Sequence, residues 1–162
     1  MKVHCISDTH TRHQEIELPG GDVLVHSGDI MGEPDPSQLS EFLVWFSEQE
    51  YTTKIFIAGN HDHLFESKPE LVDKILIMFP EVIYLQDSEV VIDGVKFYGA
   101  PWIPTNREGK AFSYRRDEDD IASTHWTKIP NDTDVLITHG PAYNKLDRIM
   151  RPVRKDQTKL NL

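Results

Sequence analysis

Polar side chains that can bind metal ions or transfer protons follow four separate apolar runs of this chain. They come directly after residues typical of short buried strands: Asp8, His10, Asp29, Asn60, His61 and His139. In an open sheet flanked by helices, the carboxyl ends of the strands share one edge, and ligands bind in the crevice there. We therefore expect these six side chains to converge. Their mixture of carboxylate, amide and imidazole suits divalent cations such as Mn, Fe or Zn.

Each cluster taken alone also has an ordinary explanation. One residue separates Asp8 from His10, so both point the same way on an extended strand end, but a capping Asp beside a surface His has the same spacing. An Asp that follows a glycine, as Asp29 does, is common in turns. His139 is equally ambiguous by itself. The joint occurrence of the four clusters, each after a strand-like run, favours a metal centre.

Length and charge limit the classes of protein to consider. A chain of 162 residues is long enough for one domain with a buried core. The formal net charge of -10 argues against general nucleic-acid binding. Residues 143–162 nevertheless carry six basic and two acidic side chains. A nucleic-acid arm is the weaker interpretation of this segment, and a solvated tail is the default.

Cysteine content and hydropathy bear on the compartment. The single cysteine, Cys5, cannot form an internal disulfide and lies in an apolar run, so we expect it to pack in the core. No apolar stretch approaches the ~20 residues of a membrane span, and the N-terminus lacks the shape of a signal peptide. These features predict a cytoplasmic protein without a membrane partner.

Apolar patterning predicts the elements that position the clusters. Short β-rich runs predict strands at residues 3–6, 23–26, 54–58, 82–85 and 135–138. Two further β-rich runs, 89–92 and 95–98, flank Asp93-Gly94, which is a strong hairpin signal. Helices are expected at 37–50, with Asp35 or Ser37 as its cap, at 69–79 and at 117–128. The order of elements predicts an α/β fold with mixed sheets.

The clusters together resemble a known family. Asp8-x-His10, Gly28-Asp29, Gly59-Asn60-His61-Asp62 and His139 resemble the motifs of the calcineurin-like metallophosphoesterases. Segments 98–102 and 138–141 are similar to a small metallophosphoesterase-domain-containing subgroup that includes cyclic-nucleotide phosphodiesterases. The resemblance implies an αββα sandwich of mixed sheets, with the metallophosphoesterase domain at residues 1–147. It also implies an enzyme that hydrolyses a small phosphodiester or phosphomonoester.

The resemblance further implies a cofactor and a ligand set. The cofactor is two divalent metal ions, Mn, Fe or Zn. Asp8 and His10 bind the first ion, Asn60 and His139 bind the second, and Asp29 bridges both. A shared anionic oxygen offsets part of the repulsion between two cations. A hydroxide held between the metals would attack phosphorus.

The resemblance leaves His61 free for catalysis. Assigned to neither metal, His61 would protonate the leaving oxygen or stabilise the charge of the transition state. Asp62 would orient His61 or a nearby ligand. A helix cap or a local hydrogen bond explains Asp62 equally well.

The chain departs from the family pattern after His139. The family's Gly-His-x-His element, which gives one histidine to each metal, has no counterpart there. We therefore expect a fold that is incomplete at the C-terminus, with 148–162 as a basic segment that continues a truncated domain. Three ligands per metal, with Asp29 counted twice, hold an ion less tightly. An unpaired sheet edge would favour a homo-oligomer. The alternative function is a catalytically impaired remnant that acts as a binding protein.

A few residues outside the motifs have open roles. If the aromatic and basic stretch 102–116 covers the site, its cations meet phosphate: Arg107, Lys110, Arg115 or Arg116. A solvated loop is the other interpretation. His26, in the strand before Asp29, is expected to hydrogen-bond beside the site. His125 is expected to lie on the surface.

Overall fold

The computed structural model describes residues 1–105, 109–115, 119–142 and 145. Its strands are β1 (Val3–Ile6), β2 (Gly21–His26), β3 (Tyr51–Phe56), β4 (Val82–Tyr84), β5 (Ser88–Ile92), β6 (Val95–Ala100), β7 (Ile103–Thr105), β8 (Ser113–Arg115) and β9 (Val135–Thr138). Its helices are α1 (Pro36–Ser47), α2 (Leu64–Ser67), α3 (Pro69–Leu76) and α4 (Asp119–Trp126), with a 3-10 turn at His13–Glu15.

Two main sheets and one short ribbon contain these strands. The first sheet has the order β1-β2-β3-β4 and is parallel throughout. In the second sheet β6 lies between β5, which is antiparallel to it, and β9, which is parallel to it. Strands β7 and β8 pair as a parallel ribbon. The parallel order brings the carboxyl ends of β1, β2 and β3 to one edge, as the sequence predicts.

Alternate residues of the first sheet face two different cores. Leu24 packs with the apolar faces of the helices, among them Phe42 of α1. Val23 and Val25 face the second sheet and pack in the cluster that contains Phe97 and Ile137. Period-two alternation therefore builds a layer of helices, a parallel sheet and a mixed sheet. The predicted fold class, an α/β sandwich of mixed sheets, is confirmed.

Helix α1 shows how local sequence sets an element of this sandwich. The Asp35 side chain accepts a hydrogen bond from the Ser37 N–H at 2.9 Å, so Asp35 is the cap, and Pro36 is the first helical residue. The buried face consists of side chains three or four residues apart: Leu39, Phe42, Leu43 and Phe46. Each contributes about 1.5–3 kcal/mol when it is removed from water.

The structure corrects several predicted bounds. The strand expected at 54–58 is Tyr51–Phe56, because its pairing with β2 already begins at Tyr51 and ends at Phe56. The helix expected at 69–79 ends at Leu76, and the one expected at 117–128 is Asp119–Trp126. The hairpin around Asp93-Gly94 is confirmed.

Edge position explains one wrong prediction. Cys5 is exposed and not packed in the core, because β1 is the edge strand of the first sheet among the strands that the structure describes. Within the part of the chain that the structure describes, no helix has both the length and the apolar content that a membrane crossing requires. The predicted basic segment 148–162 lies outside the described residues.

Candidate metal centre

The loops after β1 and β2 stay paired beyond the ends of their strands. The Asp8 N–H donates to the Gly28 carbonyl at 2.9 Å, and the His10 N–H donates to the Asp29 carbonyl at 3.1 Å. This backbone pairing fixes the two acidic loops side by side. These backbone hydrogen bonds are therefore enough to place Asp8 and His10 next to Asp29.

Left-handed backbone is concentrated in these loops. Asp8, His10 and Asp29 have φ angles of 56°, 42° and 58°, in the region that L-residues other than glycine rarely adopt. Each such residue costs about 1–2 kcal/mol, so the surrounding structure must hold it there. The strain lies on three of the predicted ligands, as is common where a site is held ready for a ligand.

Two glycines allow the loops after β2 and β3 to touch. A Cβ on Gly59 would lie 2.3 Å from the Asp29 nitrogen and 2.4 Å from its Oδ1 atom. Gly28 has a φ of 95°, and a Cβ there would lie 2.7 Å from the Ala58 carbonyl oxygen. Any side chain at either position would push the loops apart. The glycines that precede Asp29 and Asn60 thus have a steric reason.

Asp62 joins the same two loops. Its buried carboxylate accepts hydrogen bonds from the N–H groups of Asp29 (2.9 Å), Ile30 (3.3 Å), Met31 (2.9 Å) and Gly59 (2.7 Å). Burial raises the pKa of Asp62 to about 6, and hydrogen bonds from Met31, Gly59 and Ile30 oppose that rise. Two of the roles left open by the sequence are observed: Asp62 holds the loop of a nearby predicted ligand, Asp29, and it makes a local hydrogen bond with Gly59.

The first cluster of possible ligands is Asp8, His10 and Asp29, whose ligand atoms all lie within 4.8 Å of one another. The His10 Nδ1 atom donates to the Met31 carbonyl at 3.1 Å. That bond leaves Nε2 facing inward, 3.4 Å from Asp29 Oδ2. A backbone carbonyl therefore selects the tautomer that can bind a metal.

The second cluster gathers around the other oxygen of Asp29. His139 follows β9, and its Nδ1 atom donates to the Ser27 carbonyl at 2.8 Å. Its Nε2 atom lies 3.3 Å from Asp29 Oδ1 and 3.2 Å from Asn60 Oδ1. Each oxygen of Asp29 thus faces a different histidine.

The chemistry of these donors fits divalent cations. An unprotonated Nε2 atom that faces a carboxylate oxygen brings two lone pairs together, which is favourable only when a proton or a cation lies between them. The Asp29 side chain is only 4% exposed, so its charge also needs a partner inside the site. Carboxylate, amide and imidazole are the ligands that Mn, Fe and Zn accept.

His61 lies at the same crevice without joining either cluster. The backbone N–H of His61 donates to Asp29 Oδ1 at 2.8 Å, and the His61 ring contacts the His10 ring edge-on, with centroids 4.9 Å apart. The Lys110 Nζ atom lies 2.7 Å from His61 Nε2. Burial lowers the pKa of His61; the Lys110 cation adds to this effect, and Asp29 opposes it. Of the cations in stretch 102–116, Lys110 reaches the site, whereas Arg107 and Arg116 lie outside the described residues.

His26 forms hydrogen bonds with residues next to the predicted ligands. It is fully buried, its Nδ1 atom accepts from the Gly28 N–H at 3.2 Å, and its Nε2 atom therefore carries the proton shared with Thr9 Oγ1 at 3.1 Å. The expected hydrogen bond beside the site is confirmed. His125 is not a plain surface residue as expected, because its ring stacks on Trp102 at 3.4 Å.

Comparisons with known proteins show which proteins this chain is similar to. Metallophosphoesterase domain-containing protein 1 of Homo sapiens is 35% identical over 171 residues, which cover 93% of this chain and 52% of the relative. A UPF0046 protein of Caenorhabditis elegans is 35% identical over 159 residues, with coverage of 91% and 53%. The chain thus spans about half the length of the curated relatives it matches.

A solved crystal structure and a family model complete the comparison. The crystal structure matches 86% of this chain and 68% of its own chain, with a TM-score of 0.63 and 16% identity, which shows a shared fold. The model of the calcineurin-like phosphoesterase family matches residues 1–159, nearly the whole sequence. This chain belongs to the calcineurin-like phosphoesterase family.

Proposed function

We propose that this chain is a phosphoesterase that works with two divalent cations held around Asp29. Asp8 and His10 would hold one ion and Asn60 and His139 the other, with Asp29 shared. The observation that carries the proposal is the pair of histidine contacts on opposite oxygens of that carboxylate, 3.4 Å from His10 Nε2 and 3.3 Å from His139 Nε2. A carboxylate placed in this way is suited to bridging.

The chain's own residues have distinct tasks in this proposal. Bound divalent cations supply Lewis acidity, which acidifies water and neutralises phosphate charge. The carbonyls of Met31 and Ser27 hold both ligand histidines in the required tautomer. Asp62 holds the loop that carries the shared carboxylate. His61 is placed to give a proton to the leaving oxygen or to stabilise charge on phosphate.

We further propose a small phosphodiester as substrate, with manganese as a working metal. The similarity to metallophosphoesterase domain-containing protein 1 supports phosphoester chemistry. The net charge of -10 makes long nucleic acid a poor partner for this chain. A small phosphodiester carries a single phosphate to be placed on the shared centre, so it demands no extended basic surface.

Metal content and hydrolysis test the proposal together. The protein is stripped with a chelator, reconstituted with Mn, and assayed on bis(p-nitrophenyl) phosphate. We expect close to two Mn per chain and hydrolysis well above that of Asp29→Asn. Asp93→Asn is the matched control, because Asp93 has a similar positive φ of 50° and lies in the hairpin turn. It should retain full activity.

Two results would contradict the proposal. Hydrolysis by wild type no faster than by Asp29→Asn would exclude the phosphoesterase reaction on this substrate class. A metal content close to zero would favour the alternative, a remnant that acts through binding to other molecules.

A further inference from the structure

Lys110 lies in residues 109–112, the described segment that precedes β8, and its buried neighbours anchor this segment. Ala111 and Phe112, which follow it, are 0% and 1% exposed. The Ala111 N–H donates to the Asn60 carbonyl at 3.1 Å, and the Phe112 carbonyl accepts from the Ile103 N–H at 2.9 Å. The backbone next to Lys110 is therefore attached directly to the loop that carries Asn60 and His61.

Aromatic packing also supports this segment. The Trp102 ring meets the Phe112 ring edge-on at 5.5 Å, and Trp102 Nε1 donates to Asp87 Oδ1 at 2.8 Å. His125 stacks on the same indole, with ring centroids 3.4 Å apart. These backbone and ring contacts hold residues 111–112 and do not involve the Lys110 side chain.

The position of the Lys110 ammonium indicates what this side chain can bind. Its Nζ atom lies 2.7 Å from His61 Nε2 and 3.5 Å from His61 Nδ1, so the ammonium is directed at the imidazole ring. An ammonium has three donors, and this contact uses one of them. The site next to it is built from two carboxylates, Asp8 and Asp29, in a chain whose net charge is -10. The proposed divalent cations would offset these two carboxylates, and the Lys110 ammonium adds a further positive charge beside His61 that attracts an incoming phosphate anion.

We propose that Lys110 is a further substrate-contacting residue of this site. Its ammonium donates to a phosphate oxygen on the His61 side of the crevice and stabilises negative charge there. The inference rests on the proposed phosphoesterase function and adds a residue that recognises the phosphate group itself. Lysine binds phosphate as a point charge, and a charge-assisted hydrogen bond of this kind is stronger than a neutral one. No bond to Lys110 is made or broken in the reaction.

Three variants separate this role from a structural one. Lys110→Met removes the charge but keeps a long side chain, and Lys110→Arg keeps the charge. Lys74→Met removes the same charge from the exposed last turn of α3 and serves as the matched control. All are compared with wild type in the Mn-loaded state, for inorganic phosphate binding by calorimetry and for hydrolysis of bis(p-nitrophenyl) phosphate.

Phosphate binding tests the role of Lys110, and hydrolysis tests the proposed function. We expect Lys110→Met to weaken phosphate binding and to lower kcat/KM, each by about 10- to 100-fold. Lys110→Arg should recover most of that loss, and Lys74→Met should match wild type. Phosphate affinity equal in Lys110→Met and wild type, or no phosphate binding by wild type, would overturn the inference about Lys110. Failure of wild type to hydrolyse the diester would instead overturn the proposed function, while the phosphate measurement still decides the role of Lys110.

Discussion

Acidification should destabilise this fold through His26. The side chain is 0% exposed, and its ring accepts one hydrogen bond from Gly28 and donates another to Thr9, which is the pattern of a neutral imidazole. Burial lowers the pKa of His26 from 6.5 to about 3, with smaller effects from other histidines. At mildly acidic pH, His26 is therefore protonated in the unfolded chain and neutral in the folded chain.

The size of the effect follows from linkage. Because the folded pKa lies below the unfolded one, the stability contribution is complete above pH 6.5 and is lost as the pH falls toward 3. At pH 5.5 the unfolded state holds the proton about nine tenths of the time, and the folded state almost never does. The free energy of unfolding should fall by about 1.4 kcal/mol between pH 7.5 and 5.5 from this residue alone.

Urea unfolding of the chelator-treated protein at both pH values measures this change. His26→Gln is the matched control, because its amide offers both a donor for Thr9 and an acceptor for the Gly28 N–H but does not titrate in this range. The loss of stability in wild type should exceed that in the variant by about 1.4 kcal/mol. Equal losses in the two proteins would refute the claim that His26 is held neutral by burial.

Three further predictions concern the loops of the metal centre. Asp62→Asn should lower the free energy of unfolding by about 2–4 kcal/mol in urea, because an amide cannot accept all four N–H groups; Asp93→Asn should change it little. Gly59→Ala should cost about 1–3 kcal/mol and reduce the bound Mn, since its Cβ would lie 2.3 Å from the backbone of the neighbouring loop. In Gly32→Ala the added Cβ has open space, with its nearest neighbour at 3.9 Å, and Mn binding should be unchanged. His139→Phe should reduce Mn from two ions to one per chain by metal analysis, and unaltered stoichiometry would contradict its assignment as a ligand.

The local sequence pattern was sufficient to predict the elements that depend mainly on residues close to one another in sequence. The apolar run at 135–138 coincides with β9, and the Asp93-Gly94 signal correctly predicted the β5–β6 hairpin. Convergence of the side chains that follow β1, β2 and β3 was predictable, because parallel strands of one sheet end at one edge. His139 follows β9 of the second sheet, so its arrival at the same place depends on how the two sheets pack. The side chain of Cys5 was misplaced, since an apolar run does not reveal whether its strand lies at the edge of a sheet.

Contacts between distant loops were beyond sequence reasoning. The Asp62 carboxylate accepts hydrogen bonds from the N–H groups of Asp29, Ile30 and Met31, more than 30 positions earlier. The residues next to Asp62 in sequence do not indicate these distant contacts. Lys110 is 49 positions from His61 and was one of four basic candidates with equal claims. Positive φ angles at non-glycine residues are equally hidden, because they are imposed by the loops that surround them.

Electrostatics links the metal centre to the stability of the fold. Asp29 is among the groups that raise the pKa of Asp62, so two buried carboxylates repel each other across the loops they join. Four backbone N–H groups compensate the charge of Asp62, whereas Asp29 accepts one, from His61, and its oxygens face the Nε2 atoms of His10 and His139. A cation at Asp29 would neutralise the less compensated carboxylate and weaken the repulsion. The same three strained ligands would then be stabilised by what they bind, so that metal affinity and folding free energy rise together.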